Sequence, residues 1–174
     1  MHQLINKILN SDLVLTCGVS GSGKTFIAKL LESKGYTLIS SDEIIWSKYG
    51  EKFLHLPEEK KREIFSKNFD EIISRLESLL NQNKRIIVDS TMCKRFKRDK
   101  VREIASKHGI DPLFLFLNPP FSTLKKRLAY REGITSNDQI VTEEELKAFY
   151  INFEAPGSDE NFLEFNSEFE TDDL

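Results

Sequence analysis

Leu13-Val-Leu-Thr-Cys17, Gly18-Val-Ser-Gly-Ser-Gly-Lys-Thr25 and Phe26-Ile-Ala-Lys-Leu-Leu31 run on without a break. The first piece is an apolar run of the kind that forms a strand buried on both faces of a parallel sheet. The last has the periodicity of a helix. Between them, G-x-x-x-x-G-K-T gives the backbone the freedom to curl, so that its N–H groups converge on phosphate oxygens at a helix N-terminus, where the dipole favours anions. Lys24 then reaches the β- and γ-phosphates, and the hydroxyl of Thr25 is offered to a Mg²⁺ that bridges them. Gly18, Ser20, Gly21, Ser22, Gly23, Lys24 and Thr25 are therefore the candidate nucleotide-binding set. A bare glycine turn before a lysine would not need a strand on one side and a helix on the other.

Around this loop the chain has 174 residues, 39% hydrophobic and 30% charged, with a formal net charge of -3. That length predicts one domain with a real core, and the composition is that of a soluble globular protein. Mild acidity gives no global drive toward nucleic acid, although a local basic groove stays compatible with it. Two cysteines, Cys17 and Cys93, are too few for a disulfide scaffold and suit a reducing cytoplasm. The first ten residues are too short and polar for a secretory signal, and no run reaches membrane-spanning length. Leu4, Ile5, Ile8 and Leu9 instead predict a short amphipathic helix before the first strand.

Beyond the loop, Gly35 is placed to cap the helix, and Tyr36 to Ile39 predicts a second strand. Ser40-Ser-Asp42-Glu43 then opens a helix with the spacing of a capping box between Ser40 and Glu43. Asp42 has two readings: an acid favoured by the helix dipole, or a catalytic carboxylate beyond a strand's C-terminal end, where ligands of parallel sheets bind. From Pro57 to about Gln82 the residues Ile64, Phe65, Phe69, Ile72, Ile73, Leu76, Leu79 and Leu80 form one helical stripe. Ile86 to Asp89 is the third strand. After a phosphate loop, an aspartate ending a strand points to metal support, direct or through water; its other reading is a turn-forming cap. The basic run Lys94 to Arg102 opens a helix whose apolar face is read as Phe96, Val101, Ile104 and Ala105. It is either a solvated face or a source of one or two arginines for a phosphate or acidic substrate.

Leu113 to Leu117 is the fourth strand, and Asn118-Pro-Pro120 starts the next helix. There Arg127 and Arg131, four residues apart, are expected on one face, with Gly133 ending the helix. A polar tip, Ile134 to Gln139, and a second capping box, Thr142 with Glu145, complete the outline of a lid at about residues 125–145; a plain surface hairpin is the alternative. Phe162 to Phe165 predicts a fifth strand, and residues 166–174 read as a frayed acidic tail.

Strands alternating with helices imply a parallel sheet with right-handed crossovers. With the loop, the residues S-S-D-E, V-D-S-T, R-L-A-Y-R and F-E-A-P resemble the small P-loop kinases, and are most similar to the group that includes polynucleotide kinase domains, zeta-type toxins, chloramphenicol phosphotransferase and seryl-tRNA kinase. The resemblance spans roughly Leu13 to Gly157. It implies an α/β three-layer P-loop NTPase sandwich, a five-stranded sheet in the order 2-3-1-4-5, and transfer of a γ-phosphoryl group from ATP, with Mg²⁺, to a hydroxyl. It puts Asp42 at the general base, Asp89 at the metal support, and Arg131 with Arg127 over the nucleotide phosphates. Polynucleotide kinases share an Asp-x-x-Arg arrangement for the substrate phosphate, whereas three residues after Asp42 this chain has Ile45.

A small hydroxyl compound is thus the expected acceptor. The alternatives are a 5′-hydroxyl nucleic acid as acceptor, or a regulatory ATPase or nucleotide switch. No N-K-x-D segment that would read guanine follows a strand. No feature speaks to oligomeric state.

Overall fold

The computed structural model describes residues 2–131 and 140–165. The expected polar tip at Ile134 to Gln139, the glycine at 133 and the acidic tail from residue 166 lie outside the described residues. Helix α1 (His2–Leu9) precedes β1 (Leu13–Cys17), and the phosphate loop leads into α2 (Lys24–Ser33). Then come β2 (Thr37–Ser40), α3 (Ser41–Tyr49), a 3₁₀ turn over Gly50–His55, α4 (Glu58–Leu80), β3 (Ile86–Asp89) and α5 (Arg95–Ser106). The last elements are β4 (Leu113–Leu117), α6 (Phe121–Leu128), α7 (Glu143–Ile151) and β5 (Phe162–Phe165). All four strand pairings are parallel, in the order β2-β3-β1-β4-β5.

Side chains alternate across each strand, so the sheet sorts its apolar residues into two layers. Leu13, Leu15, Ile86, Val88, Phe114 and Phe116 face α4 and α5, where they meet Ile72, Leu76, Val101 and Ile104. On the other side Val14, Ile87, Leu113 and Leu115 pack with Ile27, Ala28 and Leu31 of α2 and Ile8 of α1. The N-terminal helix is tied down by Tyr36, whose hydroxyl donates to the carbonyls of Ile8 (2.7 Å) and Ser11 (2.9 Å) while the Arg85 guanidinium lies over its ring.

Several elements differ from the sequence pattern. On α4 the buried row is Ile64, Asn68, Ile72, Leu76 and Leu80, whereas Phe65 turns outward to meet Phe53 of the 3₁₀ turn edge-on. On α5 the buried positions are Arg98, Val101, Ile104 and Ala105, and Phe96 is 64% exposed. Helix α6 stops at Leu128, not at Gly133. Leu124 and Leu128 are its buried residues, packed with Leu146 of α7 on Val19 of the phosphate loop; the next two residues, Ala129 and Tyr130, are exposed, Tyr130 to 86%. The Arg131 N–H returns to the Leu128 carbonyl in a turn (3.2 Å), so Arg127 and Arg131 do not share one helical face. At the start of α7 the capping box of Thr142 and Glu145 is complete. At α3 only half forms: Ser40 Oγ accepts from the Glu43 N–H, and the Glu43 carboxylate turns to Lys29 of α2 (2.9 Å).

Candidate active site

The phosphate loop sits at the C-terminal end of the central strand, wedged between its neighbours. Gly18 donates its N–H to the Thr91 carbonyl after β3 (3.1 Å). A Cβ at Gly18 would lie 2.5 Å from the Leu117 carbonyl oxygen at the end of β4 and 2.8 Å from Ser22 Oγ, so only glycine lets the loop leave the sheet here. Gly23 takes a left-handed conformation (φ +100°) at the N-cap of α2, and no side chain caps that helix. Its first N–H groups are thereby left for an anion. Ser22 Oγ is buried with no hydrogen-bond partner among the described residues, an orphaned polar atom inside the cradle. Lys24 folds back over the loop, its Nζ donating to the Val19 carbonyl (2.9 Å).

Parallel pairing brings the two acids beside it. Ser40 lies opposite Asp89 in the β2–β3 register, so the residues that follow β2 emerge next to the end of β3. Asp89, buried, accepts from Thr16 Oγ1 through Oδ1 (3.1 Å) and from Thr25 Oγ1 through Oδ2 (2.8 Å). The first α2 hydroxyl after the lysine and the acid ending β3 therefore touch directly. Asp42 sits in the first turn of α3, half-buried. Burial and the nearby Asp89 carboxylate push its carboxyl up to about 6, against the pull of Lys24 and Arg131. Burial lowers Lys24 from its ordinary value, while Asp89 and Asp42 raise it and Arg131 lowers it further. Lys24, Asp42, Asp89 and Arg131 thus form one electrostatic group at the mouth of the loop. Arg127 joins it from α6, its Nη1 donating to the Gly21 carbonyl (3.1 Å).

This donor set suits Mg²⁺, a cation that keeps several waters and takes few protein oxygens. Thr25 and Asp89 offer a hydroxyl and a carboxylate in contact, beside the cradle that would carry phosphate oxygens. No cluster of three or more His, Cys, Asp or Glu able to hold a metal occurs among the described residues.

The basic run of α5 has another task. Arg98 is fully buried: it pairs with buried Glu160 (Nε to Oε2, 2.7 Å) and donates to the carbonyls of Met92 (2.9 Å), Glu154 (2.7 Å) and Ala155 (3.2 Å). Arg95 and Arg102 engage Asp99 and Asp159, and Lys94 engages Glu154, whose other oxygen accepts the Arg95 N–H (2.7 Å) at the start of α5. These side chains fasten the F-E-A-P segment to the loop after Asp89 and are not turned to a phosphate. Sequence spacing carried no sign of this, because Arg98 and Glu160 are 62 residues apart. Cys17 packs at the end of β1, where burial pushes its thiol up to about 12. Beside Val19 a cavity of about 190 Å³ opens at the end of β4, lined by Phe116, Leu117, Leu124 and Phe153. Tyr49 and Phe96 stand exposed, and Trp46 is half-buried.

A family described as an AAA domain, AAA_33, matches residues 13–156, from the first residue of β1 to the F-E-A-P segment. The chain belongs to this family. Solved structures share the fold of this AAA domain. A sugar kinase from Janibacter sp. HTCC2649 is 22% identical, with 90% of this chain and 85% of that one covered and a TM-score of 0.65. A gluconokinase from Sinorhizobium meliloti 1021 is 24% identical, with 88% and 81% covered and a TM-score of 0.61. The APS kinase of Mycobacterium tuberculosis, in complex with AMPPNP and APS, is 17% identical, with 94% and 92% covered and a TM-score of 0.58. No curated protein sequence matches the chain significantly. Among the described residues no helix is long and apolar enough to cross a membrane.

Proposed function

We propose that this AAA domain is a kinase of the cytoplasm that transfers the γ-phosphoryl group of ATP, with Mg²⁺, to a hydroxyl of a small molecule. The observation that carries the reading is the gathering of Lys24, Asp42, Asp89 and Arg131 at the mouth of an uncapped glycine cradle. The names of its structural relatives, a sugar kinase, a gluconokinase and an APS kinase bound to AMPPNP, point the same way.

In this reading the backbone N–H groups from Gly18 to Thr25, with the hydroxyls of Ser20 and Ser22, hold the phosphates. Lys24 exchanges the Val19 carbonyl for the β- and γ-phosphates. Thr25 and Asp89 hold Mg²⁺, which when bound screens the charge on the transferring group. Arg127 and Arg131 close on the nucleotide from the α6–α7 side, which acts as a lid and keeps water from the reaction. Asp42 accepts the proton of the attacking hydroxyl as the new O–P bond forms and the bond from the γ-phosphorus to the β,γ-bridging oxygen breaks, leaving ADP. A carboxylate titrating near 6 is ionised at neutral pH and more basic than an ordinary aspartate, which suits that step.

The acceptor class follows from Ile45. Where polynucleotide kinases resemble one another in an arginine three residues after the aspartate, Ile45 is 2% exposed and packed with Phe53 and Ile64, so no cation stands there for a substrate phosphate. The test is transfer of ³²P from γ-labelled ATP to a panel of sugars, sugar acids and other polyols, beside a 5′-hydroxyl oligonucleotide. The expected result is ADP formation that needs Mg²⁺ and rises with one small acceptor. ADP formation indifferent to every acceptor would make the protein an ATPase or switch; a labelled oligonucleotide would make it a nucleic-acid kinase.

A further inference from the structure

Asn68 interrupts an apolar row. On α4 the buried positions recur every fourth residue as Ile64, Asn68, Ile72, Leu76 and Leu80, and Asn68 is 4% exposed. Its Nδ2 donates to Ser41 Oγ (2.8 Å) and to the Ser41 carbonyl oxygen (3.3 Å). Its Oδ1 is buried with no hydrogen-bond partner among the described residues. A buried amide with an unmatched carbonyl is a net burden on the fold. Leucine, of similar size, would complete the row without it. Stability alone does not account for an asparagine here, and its two hydrogen bonds end on the residue next to Asp42.

We propose that Asn68 is a positioning residue: gripping Ser41 from α4, it fixes the first turn of α3 and so aims the Asp42 carboxylate at the mouth of the phosphate loop. Two other ties act on the same turn, Ser40 Oγ on the Glu43 N–H within α3 and Lys29 of α2 on the Glu43 carboxylate. Both hold the third residue of the helix. Asn68 is the tie that reaches the residue before the acid, and the only one from the α4 side among the described residues. The charged groups acting on Asp42 are Asp89 from β3, Lys24 from α2, Arg131 from the turn after α6, and Glu43 from its own helix. Each depends on where the first turn is held. The inference rests on the reading of Asp42 as the base, but the titration that decides it does not need catalysis.

The full-length, nucleotide-free protein is labelled with ¹³C at aspartate carboxyl carbons, and the Asp42 signal is assigned by its loss in Asp42→Asn. In Asn68→Leu the loosened turn lets water reach the carboxylate, and its titration midpoint falls by about one pH unit from the wild-type position, with a Tm equal to or above wild type. Ser41→Ala, which removes one of the two contacts, shifts the midpoint by less. With ATP and water as acceptor, Asn68→Leu hydrolyses at least about 10-fold more slowly, as misaimed catalytic groups do. An unmoved midpoint in both variants overturns the proposal, and so does a Tm several degrees lower in Asn68→Leu, which would make the asparagine a packing residue. Full hydrolysis by Asp42→Asn would instead remove Asp42 as base and leave the titration result standing.

Discussion

Replacing Asp42 by asparagine should make the protein more stable. The carboxyl is pushed from an ordinary 3.8 up to about 6, first by burial and then by Asp89. For an acid whose native pKa is raised, folding takes up a proton between the two values, so stability falls as pH rises from 3.8 to about 6 and the full cost persists above that. At about 1.36 kcal/mol per pKa unit, and allowing for the partial exposure of the side chain, the ionised carboxylate costs roughly 2–3 kcal/mol at neutral pH. Asparagine keeps the shape and removes the charge. A domain of this size gains about 2–4 °C in Tm per kcal/mol, so Asp42→Asn should melt about 5–10 °C higher at pH 7.5. Turnover should drop by about 10²–10⁴, the range of a lost general base. The assay is a series of paired thermal melts from pH 3.5 to 8. The gap between the two proteins should open from near zero at the acid end and level off above pH 6. A gap that is absent, or the same at every pH, would show that Asp42 is not held ionised against its surroundings.

Other outcomes follow from the same geometry. Lys24→Ala should abolish phosphoryl transfer and weaken nucleotide binding, read by ³²P transfer and by titration calorimetry with ATP. Arg98→Met removes the close buried partner of Glu160, leaving it Arg95 at 3.6 Å, and should cost up to about 3–5 kcal/mol in urea unfolding. Adding Glu160→Leu should recover most of that loss, and a single variant as stable as wild type would refute the pairing. The Cys17 thiol, pushed up to about 12, should stay protonated, so a thiol reagent at pH 8 should label half-buried Cys93 first and reach Cys17 only on unfolding.

The parts of this molecule that were legible in its sequence are those whose code is local. The phosphate loop, the apolar strands and the capping box at Thr142 each carry their instructions within a few residues, and the structure has them where expected. Asp42 follows the strand end that parallel pairing sets against Asp89, through Ser40; alternation of strands and helices pointed to a parallel sheet, and the neighbouring of β2 and β3 was what the family resemblance implied. What was hidden depends on partners far along the chain. Arg98 looked like a solvated cation until Glu160 met it, and that exchange turned Phe96 outward from the apolar face of α5. Asn68 was masked by the isoleucines and leucines around it, its reason lying on another helix. The end of α6 was misplaced because a glycine suggested a cap, whereas the burial that sustains the helix had already run out at Leu128.

The clamp around Arg98 has a bearing on how the chain assembles during synthesis. The loop that leaves Asp89 passes Met92, which is buried in a left-handed conformation (φ 43°) and whose carbonyl is held by Arg98. Glu160 is the buried carboxylate that pairs with that guanidinium. A ribosome-bound chain that has released β1, α2 and β3 therefore carries its glycine loop and Asp89 but not the clamp on the Met92 carbonyl just beyond them, which closes only when the segment before β5 arrives.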